Sequence, residues 1–127
     1  MAYLNKVMII GNVGKDPVIR KGNNRTTASF SVATSKRYRD ANGEQKELTA
    51  WHNVVFFGKL AETIELLGVK KGSSIFVEGE LANRSFEDQN GNKRYVTEIS
   101  GNSFQLLTPR NSAGGGNGGA QDVDFDG

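Results

Sequence analysis

Only one stretch of this 127-residue chain repeats its apolar residues at helical spacing. Leu60, Ile64 and Leu67 fall at i, i+4 and i+7, and Gly68 supplies a stop, which predicts a short helix over Lys59–Leu67. Elsewhere the apolar residues alternate or run in short blocks bounded by Gly, Asn and Pro, the pattern of strands. The runs are Leu4–Val13, a short Val18–Arg20, Thr26–Tyr38, Thr49–Phe57, Ser74–Phe86 and Arg94–Leu107. The chain therefore reads as all-β, with its single helix between the third and fourth long strands.

Thr49–Phe57 is the most informative strand. Alternation puts Trp51, Asn53, Val55 and Phe57 on one face and His52, Val54 and Phe56 on the other. Both faces carry apolar groups, so one fills a core. The other offers an indole and a phenyl ring with polar Asn53 between them and Lys59 just beyond, a surface on which planar ligands can stack. In Thr26–Tyr38, Ala28, Phe30 and Val32 share the core face. Tyr38 has the same parity, and the strand is expected to outrun the barrel and leave its ring exposed. In Ser74–Phe86, Ile75, Val77, Gly79 and Leu81 are expected inside. The last strand shifts its apolar parity between Ile99 and Phe104, which predicts a bulge near Gly101. Asn42-Gly43 and Asn90-Gly91 mark two hairpin tips. Val7–Ile10 is apolar on both faces and suits a strand covered on both sides or used in a subunit contact.

Charge is unevenly spread. All 16 Lys and Arg lie in residues 1–110 against 11 acids, a charge of +5, while residues 111–127 carry three Asp and no base. A basic body suggests an anionic partner. Residues 109–121 contain no large apolar group and read as a flexible Gly/Asn-rich linker, followed by an acidic tip at 122–127. There is no Cys and a single His, which removes disulfides, thiolate metal sites and multi-histidine zinc sites. No run reaches the roughly 18 apolar residues of a membrane span, and no secretory leader is visible. Glu78 and Glu80 share an outward face, but no nucleotide-binding loop, metal triad or activated nucleophile accompanies them. The expectation is a non-enzymatic protein without cofactor or metal, in the cytoplasm.

The order of strands and helix, with long hairpins after the second and fourth long strands, is that of a five-stranded OB-fold barrel, whose strand 2–3 face binds oligonucleotides. The residues go further. Asn5-Lys-Val, Gly11-Asn-Val-Gly-Lys-Asp-Pro17, Ala33-Thr-Ser35, Trp51-His-Asn-Val-Val-Phe-Phe-Gly-Lys-Leu-Ala-Glu62, Lys71-Gly-Ser73 and Val77-Glu-Gly79 together resemble the bacterial-type single-stranded DNA-binding proteins over residues 4–107.

The resemblance implies a single-stranded DNA-binding domain at 1–108 that serves replication, recombination and repair near the nucleoid. It implies base stacking on Tyr38, Trp51, Phe57 and Phe86. Tyr38 and Phe86 stand where the family commonly has Trp. Phosphate contacts are implied for Lys6, Lys46, Lys59, Lys71 and Arg84. The basic hairpin tip adds Lys36, Arg37 and Arg39 from its own charge. Ala82 and Ser85 occupy positions that are usually basic. A homotetramer, a dimer of dimers, is implied, with Val7, Ile9 and His52 at subunit contacts. Asp122, Asp124, Phe125 and Asp126 correspond to an acidic tail that docks replication and repair proteins, although the family's terminal Pro-Phe is absent. The alternative reading is an OB-fold RNA-binding or primosome-type adaptor module.

Overall fold

The structure, a computed structural model, describes residues 1–108. Six strands and one helix follow in the order β1 (Val7–Val13), β2 (Val18–Lys21), β3 (Thr26–Arg39), β4 (Gln45–Phe57), α1 (Lys59–Leu67), β5 (Ser74–Glu87) and β6 (Lys93–Leu106). One sheet runs β1-β5-β6-β4-β3-β2, and an additional β1–β3 pairing closes five of the strands into a barrel. The sixth, β2, is an antiparallel extension on β3. All pairings are antiparallel except β4–β6. The expected five-stranded OB barrel is therefore present, and the short Val18–Arg20 run is a strand outside its closure.

Two seams join the barrel. β1 meets β3 at Asn12↔Ala33 and Val13↔Val32, and β4 meets β6 at Val54↔Ile99 and Val55↔Ser100. Close approach is met by glycine. A Cβ on Gly11 would strike the carbonyl of Ala33, and one on Gly101 would strike the ring of Phe56.

The core is built from the inward faces of β3, β4 and β5. Ala28, Phe30, Val32, Val54, Phe56, Ile75 and Val77 are buried, joined by Ala61 and Ile64 of α1. Phe56 stacks on Phe30 at 6.1 Å and meets Phe104 edge-on at 5.4 Å. The helix closes one end of the barrel. It stops where Gly68 turns left-handed (φ 75°), its N–H donating to the Glu65 carbonyl.

β3–β4 and β5–β6 continue past the barrel as two long ribbons. Their tips share one construction. Asp40 Oδ1 accepts the N–H groups of Asn42 and Glu44, and Asp88 Oδ1 accepts those of Asn90 and Asn92, all at 2.9 Å. At each tip one glycine takes positive φ, Gly43 (82°) and Gly91 (81°). Each tip is thus a turn followed by a glycine bulge.

Two expectations are corrected. The first strand begins at Val7 and not Leu4. Before it, the Asn5 side chain takes over the pairing, donating to the Leu81 carbonyl (3.0 Å) and accepting the Leu81 N–H (2.9 Å). Leu81 itself is exposed, because it follows the Glu78/Gly79 register shift and lies where the ribbon leaves the barrel. Val7 and Ile9 pack on the core of their own barrel, so the β1 side chains turned outward are Met8 and Ile10. The bulge stands where the parity change put it: Gly79 pairs with Gly101 while Glu78 pairs with Ser103.

Candidate nucleic-acid interface

The outer face of β3 is made of small residues. Thr27, Ser29, Ser31 and Ala33 lie directly opposite Phe57, Val55, Asn53 and Trp51 of β4. Opposed residues of an antiparallel pair project to the same side, so the large rings stand above a low, polar floor. Trp51 is 61% exposed. Its six-membered ring lies against Gly14, where any Cβ would collide with it. Gly14 is pinned there by its N–H, which donates to the Ser31 carbonyl at 2.9 Å.

An open groove of about 350 Å³ runs along this face. Ser29, Ser31 and Asn53 line its floor, Lys15 and Asp16 one rim, and Arg84, Val96 and Glu98 the facing β5–β6 ribbon. It is a cleft with amide, hydroxyl, guanidinium and carboxylate groups on the β3–β4 face that carries the Trp51 and Phe57 rings, suited to a flexible chain with planar substituents.

The four ring positions divide. Trp51 and Phe57 share the outer β4 face. Phe57 is half-buried, and the guanidinium of Arg25 lies 4.2 Å from its centroid. Phe86, 45% exposed, stands on the opposing ribbon with Arg84 Cζ 5.8 Å from its ring. Tyr38 is exposed, as expected, but it pairs with Lys46 while Trp51 pairs with Ala33. By alternation Tyr38 lies on the reverse side of the β3–β4 ribbon from Trp51, beside Lys36 and Leu48.

The cations divide likewise. Arg84 borders the groove and is held by Glu98 at 3.3 Å. Lys6 lies on the β1–β5 side, outside the groove, paired with Glu78 at 2.8 Å. Lys46 sits near Glu44 (3.7 Å) and Asp40 (3.9 Å). Arg39 Nη1 donates to the Gly43 carbonyl at 3.1 Å. Lys36, Arg37, Lys59 and Lys71 are exposed and form no ion pair among the described residues. The Lys71 N–H donates to Asp16 Oδ1 at 2.8 Å, tying its loop to the groove rim.

His52 is half-buried, with Nε2 2.9 Å from Thr34 Oγ1. Along Val7–Ile10 one edge of β1 pairs with β5 and the other is open, since β3 joins only at Asn12 and Val13. The linker at 109–121 and Asp122, Asp124, Phe125 and Asp126 lie outside the described residues.

Sequence reasoning missed Gly14, Arg20, Arg25 and Glu98. Arg20 pairs with Thr27, and Thr27 pairs with Phe57, so the three form one outward row. The alternating Thr27, Ser29 and Ser31 was a readable sign of a low floor. No local pattern links a loop Gly or Arg to a ring more than twenty-five residues away.

The profile of the Single-strand binding protein family matches residues 4–107. Single-stranded DNA-binding protein 1 of Xylella fastidiosa (strain 9a5c) is 51% identical over 110 residues, covering 84% of this chain and 79% of that protein. Among solved structures, the Plasmodium falciparum SSB complex with ssDNA superimposes with a TM-score of 0.76 at 32% identity, covering 84% of this chain and 97% of that one. A deletion mutant of the single-stranded DNA-binding protein from Thermus aquaticus gives 0.71 at 28% identity, covering 84% of this chain and 52% of that one. With a matching profile over nearly all the described residues, and the barrel and its ring-bearing outer face in place, the chain belongs to the single-strand binding protein family.

Proposed function

We propose that this chain binds single-stranded DNA without sequence preference and protects it during replication, recombination and repair. The observation that carries this reading is the exposed Trp51 ring, on the same outer β4 face as Phe57 and above the small residues of β3, with Asn53 between them on the groove that Arg84 borders. Unpaired bases expose π-faces that duplex DNA hides. Stacking a base on an aromatic ring is worth about 1–3 kcal/mol and is nearly indifferent to which base it is. Phosphates meet Arg84, Lys59, Lys71 and the ribbon bases Lys36, Arg37, Arg39 and Lys46, with Lys6 more remote. Counterion release makes such contacts salt-sensitive. Tyr38, Trp51, Phe57 and Phe86 serve as stacking rings along a strand that passes round the β3–β4 ribbon. Binding of this kind involves no covalent step, and the reading assigns no catalytic residue.

The same reading takes the assembly to be a homotetramer, a dimer of dimers. The open β1 edge along Val7–Ile10 and the outward Met8 and Ile10 support it, and the same reading assigns His52 to that contact. Residues 1–108 are the binding domain, 109–121 a linker and 122–127 a tip for replication and repair proteins, in a cytoplasmic, nucleoid-associated protein.

The test is a titration of Trp51 fluorescence with oligo-dT at two salt concentrations. Quenching that saturates, with weaker affinity at higher salt, is expected. An unquenched Trp51 at saturation overturns stacking on this face, and tighter binding of a matched RNA oligomer favours the RNA-binding alternative.

A further inference from the structure

Phe57 already has a planar group on its face. The Arg25 guanidinium lies 4.2 Å from the ring centroid. Its backbone is fixed by the β2–β3 turn, where the Gly22 N–H donates to the Arg25 carbonyl at 3.0 Å. The next residue is equally held, its carbonyl accepting the Gly58 N–H at 2.8 Å. The side chain thus swings from an anchored base. Arg25 forms no ion pair among the described residues, unlike Arg84, which Glu98 restrains beside Phe86. Arg20 and Lys59 lie nearby, on the Phe57 row and two residues beyond Phe57.

A guanidinium at that distance leaves no room for a base between it and the ring. Resting on the single-stranded DNA reading above, we propose that Arg25 is a lid on the Phe57 stacking site. It covers the ring in the free protein and moves to a phosphate when a base takes its place. An exposed cation–π contact is weak and easily given up. A phosphate contact by the released cation is charge-assisted and frees counterions. The exchange keeps an apolar ring covered in both states and adds one ionic contact only when DNA is present.

The test compares the full chain with Arg25→Gln and Arg25→Lys, using oligo-dT across a salt series. Each phosphate contact on single-stranded DNA adds about 0.7 to the magnitude of the slope of log Kobs against log salt. Arg25→Gln is expected to lower that magnitude by about 0.7, also in a Phe57→Ala background, while Arg25→Lys preserves it. In the free protein the Arg25 δ-methylene protons are expected to show a ring-current shift that disappears when oligo-dT is added. An unchanged slope in Arg25→Gln, a slope change that vanishes with Phe57→Ala, or a ring-current shift that survives saturation overturns the lid and leaves the DNA-binding reading standing. A wild-type chain that does not bind oligo-dT overturns both.

Discussion

Gly14 forms the seat on which the Trp51 indole rests. The loop glycine is hydrogen-bonded to Ser31 from below, and the ring occupies the volume a Cβ at position 14 would need. Gly14 has no positive φ, so substitution there is a question of space alone. Gly14→Ala is expected to leave the barrel folded and displace the indole, shifting the Trp51 emission of the free protein. It is expected to weaken oligo-dT binding by up to the worth of one stacked base, about 1–3 kcal/mol. Unchanged emission and affinity would show that the ring does not depend on this seat.

Trp51→Ala and Phe57→Ala are each expected to cost about 1–3 kcal/mol of single-stranded DNA affinity. Tyr38 differs because it lies on the reverse of its ribbon. With an oligomer just long enough to span the Trp51–Phe57 row, Tyr38→Ala is expected to be silent. Its cost is expected to emerge with oligomers long enough to pass round the ribbon. An equal penalty at every length would place all three rings on one continuous track.

Glu98 restrains the groove cation Arg84. Glu98→Gln removes a negative charge from the groove wall and releases a guanidinium. Affinity for oligo-dT is expected to rise, most at low ionic strength, where screening is weakest. Weaker binding in Glu98→Gln, measured by the same titration, would mean that the ion pair holds Arg84 in its working position.

The Asp88 tip carries a pH dependence. The side-chain hydrogen bond from Arg94, followed by the backbone N–H of Asn92, holds the Asp88 carboxyl below its ordinary pKa of 3.8. A lowered folded-state pKa contributes stability that is present above the unfolded value and lost as pH falls through the folded one. The amides of Asn90 and Asn92 are therefore expected to lose hydrogen-exchange protection below pH 3.8, before those of the barrel strands. In Asp88→Asn that acid step is expected to disappear. Its persistence would assign the transition to another carboxylate.

Gly101 sets a packing limit in the core. Its missing side chain leaves room for the Phe56 ring, which is fully buried and bears on both Phe30 and Phe104. Gly101→Ala is expected to destabilise the fold by about 1–3 kcal/mol, the usual cost of overpacking, as a lower urea midpoint. An unchanged midpoint would mean that the β6 bulge absorbs the extra methyl.

Much of this was legible from residue order, because strands and hairpins are local. The inward run Ala28, Phe30 and Val32, the helix ending at Gly68 and the bulge beside Gly101 all follow from parity and glycine placement. Parity failed on β1, where both faces are apolar and alternation offers no contrast. There the split of Val7 and Ile9 toward the barrel and Met8 and Ile10 away from it appears only in the structure. It failed again at Leu81, where the register shift and the end of the barrel intervene. At the site, Trp51 and Phe57 were readable as a pair on one strand. What touches them was not, since Gly14 and Arg25 reach those rings across the fold.

The two short seams also bear on how the chain folds. β3–β4 and β5–β6 are each zipped from a tight tip, from Arg39↔Gln45 to Thr27↔Phe57 and from Glu87↔Lys93 to Ile75↔Leu106. Such pairings close small loops, whereas the Val54↔Ile99 pairing must bring together segments separated by the helix and all of β5. Loop-closure entropy favours the hairpins first and the parallel seam late. The rate-limiting event is then the docking of two preformed ribbons, and substitutions at Val54, Val55, Ile99 and Ser100 should speed unfolding more and slow folding less than equally destabilising changes at the tips.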